Sequence, residues 1–305
     1  MSAEDALVEL LHFLRQHRYR FTAVTPATHR IILERACPGP PTLPDIFGWN
    51  RPFASGDLEP QVRRVLEDAD ALETDADGRL RSRFRVASLG DNLFLHSSFP
   101  TDDPNSVFFG PDTYRFVRFI QQQRATLRDV RHITDMGAGS GAGGIAAALL
   151  WPEADITLVD LNRDALRLAA INAEAAMVPL KTVASEKIPA GGDLVIANPP
   201  YLVDASMRTY RDGQGRLGEG VTLDWTRQAI ARLGPGGVML LYTGAAFENG
   251  DAPLVSGIAD ECRAAGADLI VDEIDPDVFG EELANAPYGS VERIAALGVR
   301  ITVAA

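Results

Sequence analysis

The chain has 305 residues, a formal net charge of −13, 46% hydrophobic and 23% charged residues, a soluble globular composition long enough for one large domain or two ordinary ones. The acidic total disfavours life on phosphate backbones, because nonspecific nucleic-acid affinity rests on Lys and Arg, and two distant cysteines, Cys37 and Cys262, in no CxxC or Cys/His spacing argue against structural zinc and a disulfide framework. With no basic and apolar leader and no run approaching about 18 apolar residues, the chain is expected in the cytoplasm with no membrane partner.

Ala6, Leu7, Leu10, Leu11 and Leu14 recur at helical spacing, and a Pro/Gly cluster from Pro38 to Pro44 interrupts regular structure after them. A second helix is predicted from about Glu59 to Leu72. The turn sequences Asp75-Ala76-Asp77-Gly78 and Leu89-Gly90-Asp91-Asn92 then predict hairpin strands. Helices followed by a two-stranded wing describe an α+β, winged-helix-like accessory domain. Along that wing Arg79, Arg81, Arg83 and Arg85 alternate with Leu80, Ser82 and Phe84, so a strand would put four guanidinium groups on one face. That face either contacts phosphate or carboxylate, or is solvated and balanced by the acidic run Glu67 to Asp77. His96, on the same wing, is expected to be an ordinary, partly exposed histidine.

Ser97 to Ser106 is dense in loop formers, and the hydrophobic rhythm changes across it. The expected division is residues 1–105, an accessory and substrate-recognition domain, and residues 106–305, a cofactor-binding domain. Phe108-Phe109-Gly110-Pro111-Asp112-Thr113 leads into a helix at Tyr114 to Gln123, which makes Asp112 a candidate N-cap.

Strands then alternate with helices, which predicts an α/β fold with a doubly wound, Rossmann-like parallel sheet. The strand His132–Met136 runs into Gly137-Ala138-Gly139-Ser140-Gly141 and an Ala-rich helix. The strand Asp155–Asp160 ends in an acid 19 residues beyond Gly141. A helix follows from Arg163 to Ala176, and the apolar strand Asp193–Ala197 delivers Asn198-Pro199-Pro200-Tyr201. The polar, glycine-rich stretch Arg208 to Gly220 is a candidate substrate loop or a mobile connection. A helix near Leu223 to Leu233, the strand Val238–Tyr242, and two final strands within Leu269–Asp272 and Glu292–Val303 complete the chain. Glycines at a strand-to-helix turn let backbone approach a ligand, and an acid on the next strand accepts from ribose hydroxyls. Those two features alone indicate an adenosine-bearing cofactor and leave NAD open.

Asp135 with its glycine loop, Val159-Asp160-Leu161-Asn162 and Asn198-Pro199-Pro200-Tyr201, in this order, resemble the class I S-adenosylmethionine-dependent methyltransferases. More narrowly, residues 106–305 resemble the small-domain, HemK/PrmC-like group that methylates exocyclic or amide nitrogens. The resemblance implies S-adenosyl-L-methionine as cofactor. Asp135, Gly137, Gly139 and Gly141 would lie along its methionine and ribose, and Asp160 and Leu161 at the ribose. Ser185 or Glu186 would reach the adenine, in place of an acid usual in the family. Asn198, Pro199 and Tyr201 would act on the acceptor and Asn198 would also meet the cofactor; Pro200, Phe109 and Asp112 would line the substrate.

The chemistry can be argued from the residue types. A planar NH2 has a delocalised lone pair and attacks a sulfonium methyl poorly, so a site must orient it. The Asn198 side-chain oxygen and the Pro199 carbonyl are two acceptors for its N–H groups, the prolines stiffen the loop, and Tyr201 offers a stacking face. None of the five histidines follows the glycine loop, which removes the usual general base of oxygen methylation. No carboxylate cluster has metal-ligand spacing. The expected function is N-methylation of a small molecule or a peptide or protein. One alternative is a nucleobase of RNA or DNA, supported by the arginine strand and disfavoured by the acidic total. The other is a non-catalytic winged-helix module that senses an adenosyl ligand.

Overall fold

The computed structural model describes residues 1–37 and 39–304; Pro38, first of the predicted Pro/Gly breaker, lies outside them. Helix α1 (Ala3–Gln16) starts where Ser2 and Asp5 form a reciprocal capping box, and it buries Leu7, Leu10, Leu11 and Leu14 as its periodicity requires. Helix α2 (Pro26–Leu33) has no periodic apolar signal to announce it, and its one buried residue is His29. After a turn at Pro44–Gly48 comes α3 (Pro60–Asp68).

Two hairpins follow rather than one wing: β1 (Leu72–Thr74) with β2 (Leu80–Ser82), and β3 (Phe84–Leu89) with β4 (Asn92–Ser97), each closed by one of the predicted turns. The four arginines do not share a face. Arg83 lies on a bend between β2 and β3, where Ser82 Oγ bonds both the N–H and the carbonyl of Phe84. That bend breaks the alternation and turns Arg85 inward, to 5% exposure. Arg79 and Arg81 donate instead to the carbonyls of Pro52 and Phe99. His96 is also corrected: it is fully buried, and neither ring nitrogen has a hydrogen-bond partner among the described residues.

The larger part comprises α4 (Pro111–Gln123), β5 (His132–Met136), α5 (Ala142–Leu150), β6 (Asp155–Asp160), α6 (Arg163–Ala175), β7 (Lys181–Ala184), β8 (Leu194–Ala197), α7 (Gly220–Arg232), β9 (Val238–Phe247), α8 (Pro253–Ala265), β10 (Asp268–Asp275) and β11 (Arg293–Thr302). Its seven strands are ordered β7-β6-β5-β8-β9-β11-β10. All are parallel except β11, which pairs antiparallel with both neighbours. The sheet is therefore mostly, not wholly, parallel.

Central strands bury both faces, as parallel strands do. In β8, Leu194 and Ile196 face the helices α4 and α5, while Val195 and Ala197 face α7 and α8. Helix α6 is apolar on two sides. Leu166 and Ala169 pack on the sheet, and Ala165, Leu168, Ile171 and Ala175 pack into the core formed by α1, α3 and the hairpins. Asn172, fully buried on the same helix, accepts from Leu95 N–H at 2.8 Å and donates to the carbonyls of Leu95 and Ser140 at 3.1 and 2.9 Å. One amide thus ties β4 to the glycine-rich loop.

Candidate functional site

Strand order reverses between β5 and β8: the chain moves from β5 outward through β6 to β7, then returns to β8. Ligands in open α/β sheets bind outside the carboxyl ends of strands at such a point. Here the glycine loop leaves β5 and Asn198 leaves β8, side by side. A cavity of about 780 Å³ opens over them.

Gly137 takes φ = 69°, and a Cβ there would lie 2.4 Å from the Trp225 ring, so both conformation and space require glycine. Gly139 N–H donates to Asp160 Oδ2 at 2.9 Å, and Asn162 N–H donates to Oδ1 at 2.8 Å. Burial holds the Asp160 carboxyl above its usual range against these bonds. Asp135, 2% exposed, accepts from Gly144 N–H at 2.7 Å, and burial raises its pKa to about 7. Asp135, Gly137, Gly139, Asp160 and Leu161 all line the cavity. Gly141 does not: it begins α5, where a Cβ would sit 3.0 Å from Ala169, so its smallness serves the packing of α6.

At the far end, Ser185 and Glu186 line the cavity beside Gln228 of α7. Ser185 Oγ accepts from Lys187 N–H at 2.9 Å. Gln228 accepts from Ile188 N–H at 3.0 Å and donates to Glu186 O at 3.2 Å. These bonds pin the turn between β7 and β8 against α7.

On the other side, Asn198, Pro199, Pro200 and Tyr201 all line the cavity. The Asn198 side chain and the Pro199 carbonyl accept no hydrogen bond within the described residues, so two acceptors stand open beside the cofactor loop. Tyr201 is packed as well as lining: its hydroxyl donates to Asp112 Oδ2 at 2.8 Å, and Phe279 meets its ring edge-on at 5.9 Å. A Cβ at residue 244 would lie 2.3 Å from that ring, so Gly244 of β9 makes its seat. Asp112 also accepts from the Tyr242 hydroxyl, at 2.8 Å on Oδ1. Arg115 lies 3.4 Å from Asp112 Oδ1 and 2.8 Å from Asp275 Oδ2. Burial pushes the Asp112 carboxyl up, opposed by both tyrosine hydroxyls and Arg115. Asp112 is thus not the N-cap, which is Gly110; it is the second helical residue and points inward.

Phe109 is a second correction of placement. It is 1% exposed, packs with Phe94, His96 and Tyr114, and does not line the cavity. Phe108 lines it instead, its ring parallel to Tyr210 within 5° at 5.9 Å. Tyr210 belongs to the stretch after the motif, which is tethered rather than free. Tyr210 Oη donates to Thr101 O at 2.5 Å, Thr209 Oγ1 to Pro104 O at 2.8 Å, and Arg208 meets Asp204 in two 2.8 Å bonds. Phe108, Trp225, Gln228 and Phe279 escape sequence reasoning, because no spacing marks them; Tyr210 falls within the stretch read as a candidate substrate loop.

The donor set suits S-adenosylmethionine: a glycine-walled floor, a carboxylate at the end of the second strand, and a polar turn at the far end. Among the described residues no group of three His, Cys, Asp or Glu could hold a metal, and no helix is long and apolar enough to cross a membrane.

Residues 116–243, from α4 through β9, match the family model "Methyltransferase small domain". A release factor glutamine methyltransferase of Deinococcus radiodurans is 27% identical over 229 residues, covering 70% of this chain and 78% of that protein. A ribosomal protein uL3 glutamine methyltransferase of Bordetella pertussis is 40% identical over 84 residues, 26% of this chain and 28% of the other. Trm5b from Pyrococcus abyssi superimposes with a TM-score of 0.50 over 80% of this chain and 68% of its own, at 14% identity, which speaks for the fold. Together with the sheet order and the cavity, these likenesses make the chain an enzyme, an S-adenosylmethionine-dependent N-methyltransferase similar to the HemK/PrmC-like group.

Proposed function

We propose that this enzyme methylates the side-chain amide nitrogen of a glutamine in a protein, in the cytoplasm. The observation that carries the reading is the pair of unbonded acceptors, Asn198 and Pro199, at the cavity beside the glycine loop. A carboxamide whose two N–H groups donate to these acceptors has its plane fixed, so the nitrogen's lone pair, perpendicular to that plane, can be presented to the methyl of a cofactor on the glycine loop. The bound cofactor supplies an electrophilic methyl on sulfonium. Asn198 and Pro199 hold the amide and favour the nitrogen as it becomes tetrahedral, and because the loop is stiff this costs little reorganisation; the methylated nitrogen then gives up one N–H proton to solvent. Tyr201, fixed by Asp112, packs against the amide plane. Gly137, Gly139, Asp160 and Leu161 hold the nucleoside and methionine portions, and Ser185 the adenine end. Residues 1–105 act as the acceptor-recognition domain on the cofactor domain of residues 106–305.

The relatives named for glutamine methylation of proteins support the acceptor class. The nucleobase reading loses its best argument, since the four arginines do not form a basic face. Asn198→Ala should lower turnover by about 10²-fold or more while leaving S-adenosylhomocysteine affinity nearly unchanged. Single-turnover kinetics on a glutamine-bearing protein, with calorimetry, read the two quantities. An equal loss of cofactor affinity would remove the orienting role from Asn198.

A further inference from the structure

The N-terminal elements enclose a second concentration of charge that the methyl-transfer chemistry does not use. Arg85 of β3 is 5% exposed; its Nε donates to Ser97 O at 2.9 Å, and its guanidinium carbon lies 5.7 Å from the centre of the Phe99 ring. Among the described residues, Nη1 and Nη2 have no hydrogen-bond partner, and no carboxylate faces the group. Neither nitrogen is wholly enclosed. Its neighbours are bases. The carboxylate nearest Arg81 is the half-exposed Glu73, at 3.7 Å. His29 is 1% exposed and stacks on Phe99 at 4.2 Å, and His96 is fully buried with both ring nitrogens unpaired. Burial and then the charge on Arg85 hold both histidines below their ordinary pKa, His29 at about 4.

An unpaired guanidinium taken from water is costly, and this chain carries 42 acidic residues, none of which compensates it. The cluster also borders the acceptor cavity. Pro26, which starts the helix that carries His29, lines the cavity, as does Tyr210, whose hydroxyl donates to Thr101 O, two residues beyond the Phe99 whose ring Arg85 covers.

We propose that Arg85 is an acceptor-recognition residue whose free Nη1 and Nη2 take the carboxylate of an acidic side chain of the polypeptide, where it crosses the rim between Pro26 and Tyr210. A guanidinium edge matches a carboxylate bidentately. This rests on the polypeptide reading of the acceptor.

The test needs no turnover. The protein loaded with S-adenosylhomocysteine is titrated, at fixed ionic strength, with acetyl-Ala-Glu-Ala-amide and with the peptide carrying Gln in place of Glu, following the Arg85 Nε–H resonance. The Glu peptide should bind at least five-fold tighter, about 1 kcal/mol by the tenfold-per-1.4 relation, and Arg85→Met should abolish the difference. Arg85→Met should also unfold at an equal or higher temperature, because an apolar side chain of similar length replaces an uncompensated charge. Arg85→Lys keeps the charge, loses the fork, and should lose most of the preference. No preference in the wild type, a preference surviving in either variant, or tighter binding of inorganic phosphate would overturn the assignment. A peptide that binds through Arg85 while no protein gains a methyl group would instead count against amide methylation alone.

Discussion

Asp112 and Asp135 show how one residue type takes two uses from burial. Asp112 is satisfied by three donors, the hydroxyls of Tyr201 and Tyr242 and the Arg115 guanidinium, and so fixes Tyr201. Tyr242→Phe removes one of these donors from a buried carboxylate. It should cost about 1–3 kcal/mol of stability and lower turnover several-fold with S-adenosylhomocysteine affinity retained; unchanged turnover would show that Tyr201 needs no such anchor. Among the described residues Asp135 has a single donor, Gly144 N–H, and burial lifts its pKa from 3.8 to about 7. Between those values the folded chain keeps a proton that the unfolded chain has released. Its contribution to stability is therefore fully present below about pH 4 and is lost as pH rises through about 7. Asp135→Asn keeps an oxygen for Gly144 and removes the titration. The stability of the wild type relative to this variant should fall across that window in denaturant titrations, and a flat difference would contradict the assignment. At this scale the sequence was a good guide to where Asp135, Asp160 and Asn198 lie, at the cavity, because their positions depend on neighbouring backbone. It was a poor guide to Phe108 and Phe109, because adjacent residues of an extended segment point to opposite sides and both are phenylalanine.

Helix α6 is the element on which the two cores meet. Its apolar pattern predicts a helix, but the pattern does not say that Leu166 and Ala169 serve the sheet while Leu168 and Ile171 serve the N-terminal core. Asn172 would be read from sequence as a solvated helical residue; it is fully buried and completes its hydrogen bonds across a gap of 77 residues to β4. Asn172→Ala would leave the Leu95 N–H and two carbonyls without this partner. We expect a loss of about 2–3 kcal/mol and weakened cofactor affinity through the Ser140 end of the glycine loop, measured by chemical denaturation and calorimetry. Stability within about 0.5 kcal/mol of wild type would mean that water replaces the amide. The stretch after Tyr201 is open, in sequence, between a candidate substrate loop and a mobile connection; Arg208, Thr209 and Tyr210 each meet a specific partner, and Thr209 and Tyr210 line the cavity.

For the whole molecule, the shared core implies that neither part is self-sufficient. A fragment of residues 106–305 would expose Ala165, Leu168, Ile171 and Ala175 to water, an apolar face of the kind that drives association. We expect it to aggregate or bind hydrophobic dye, whereas a soluble, cofactor-binding monomer would show that α6 can cap the sheet alone. The sequence by itself determined the alternation of strands and helices, the glycine loop with Asp160, and Asn198-Pro199-Pro200-Tyr201 at a strand end. These depend on local backbone conformation and hydrophobic period, which neighbouring residues encode. Only the tertiary structure decided that β11 runs antiparallel, that Asp112 joins tyrosines 89 and 130 residues away, and that Arg85 turns inward. Those outcomes depend on which distant surfaces meet, and a burial or a hydrogen bond between them has no period in the chain.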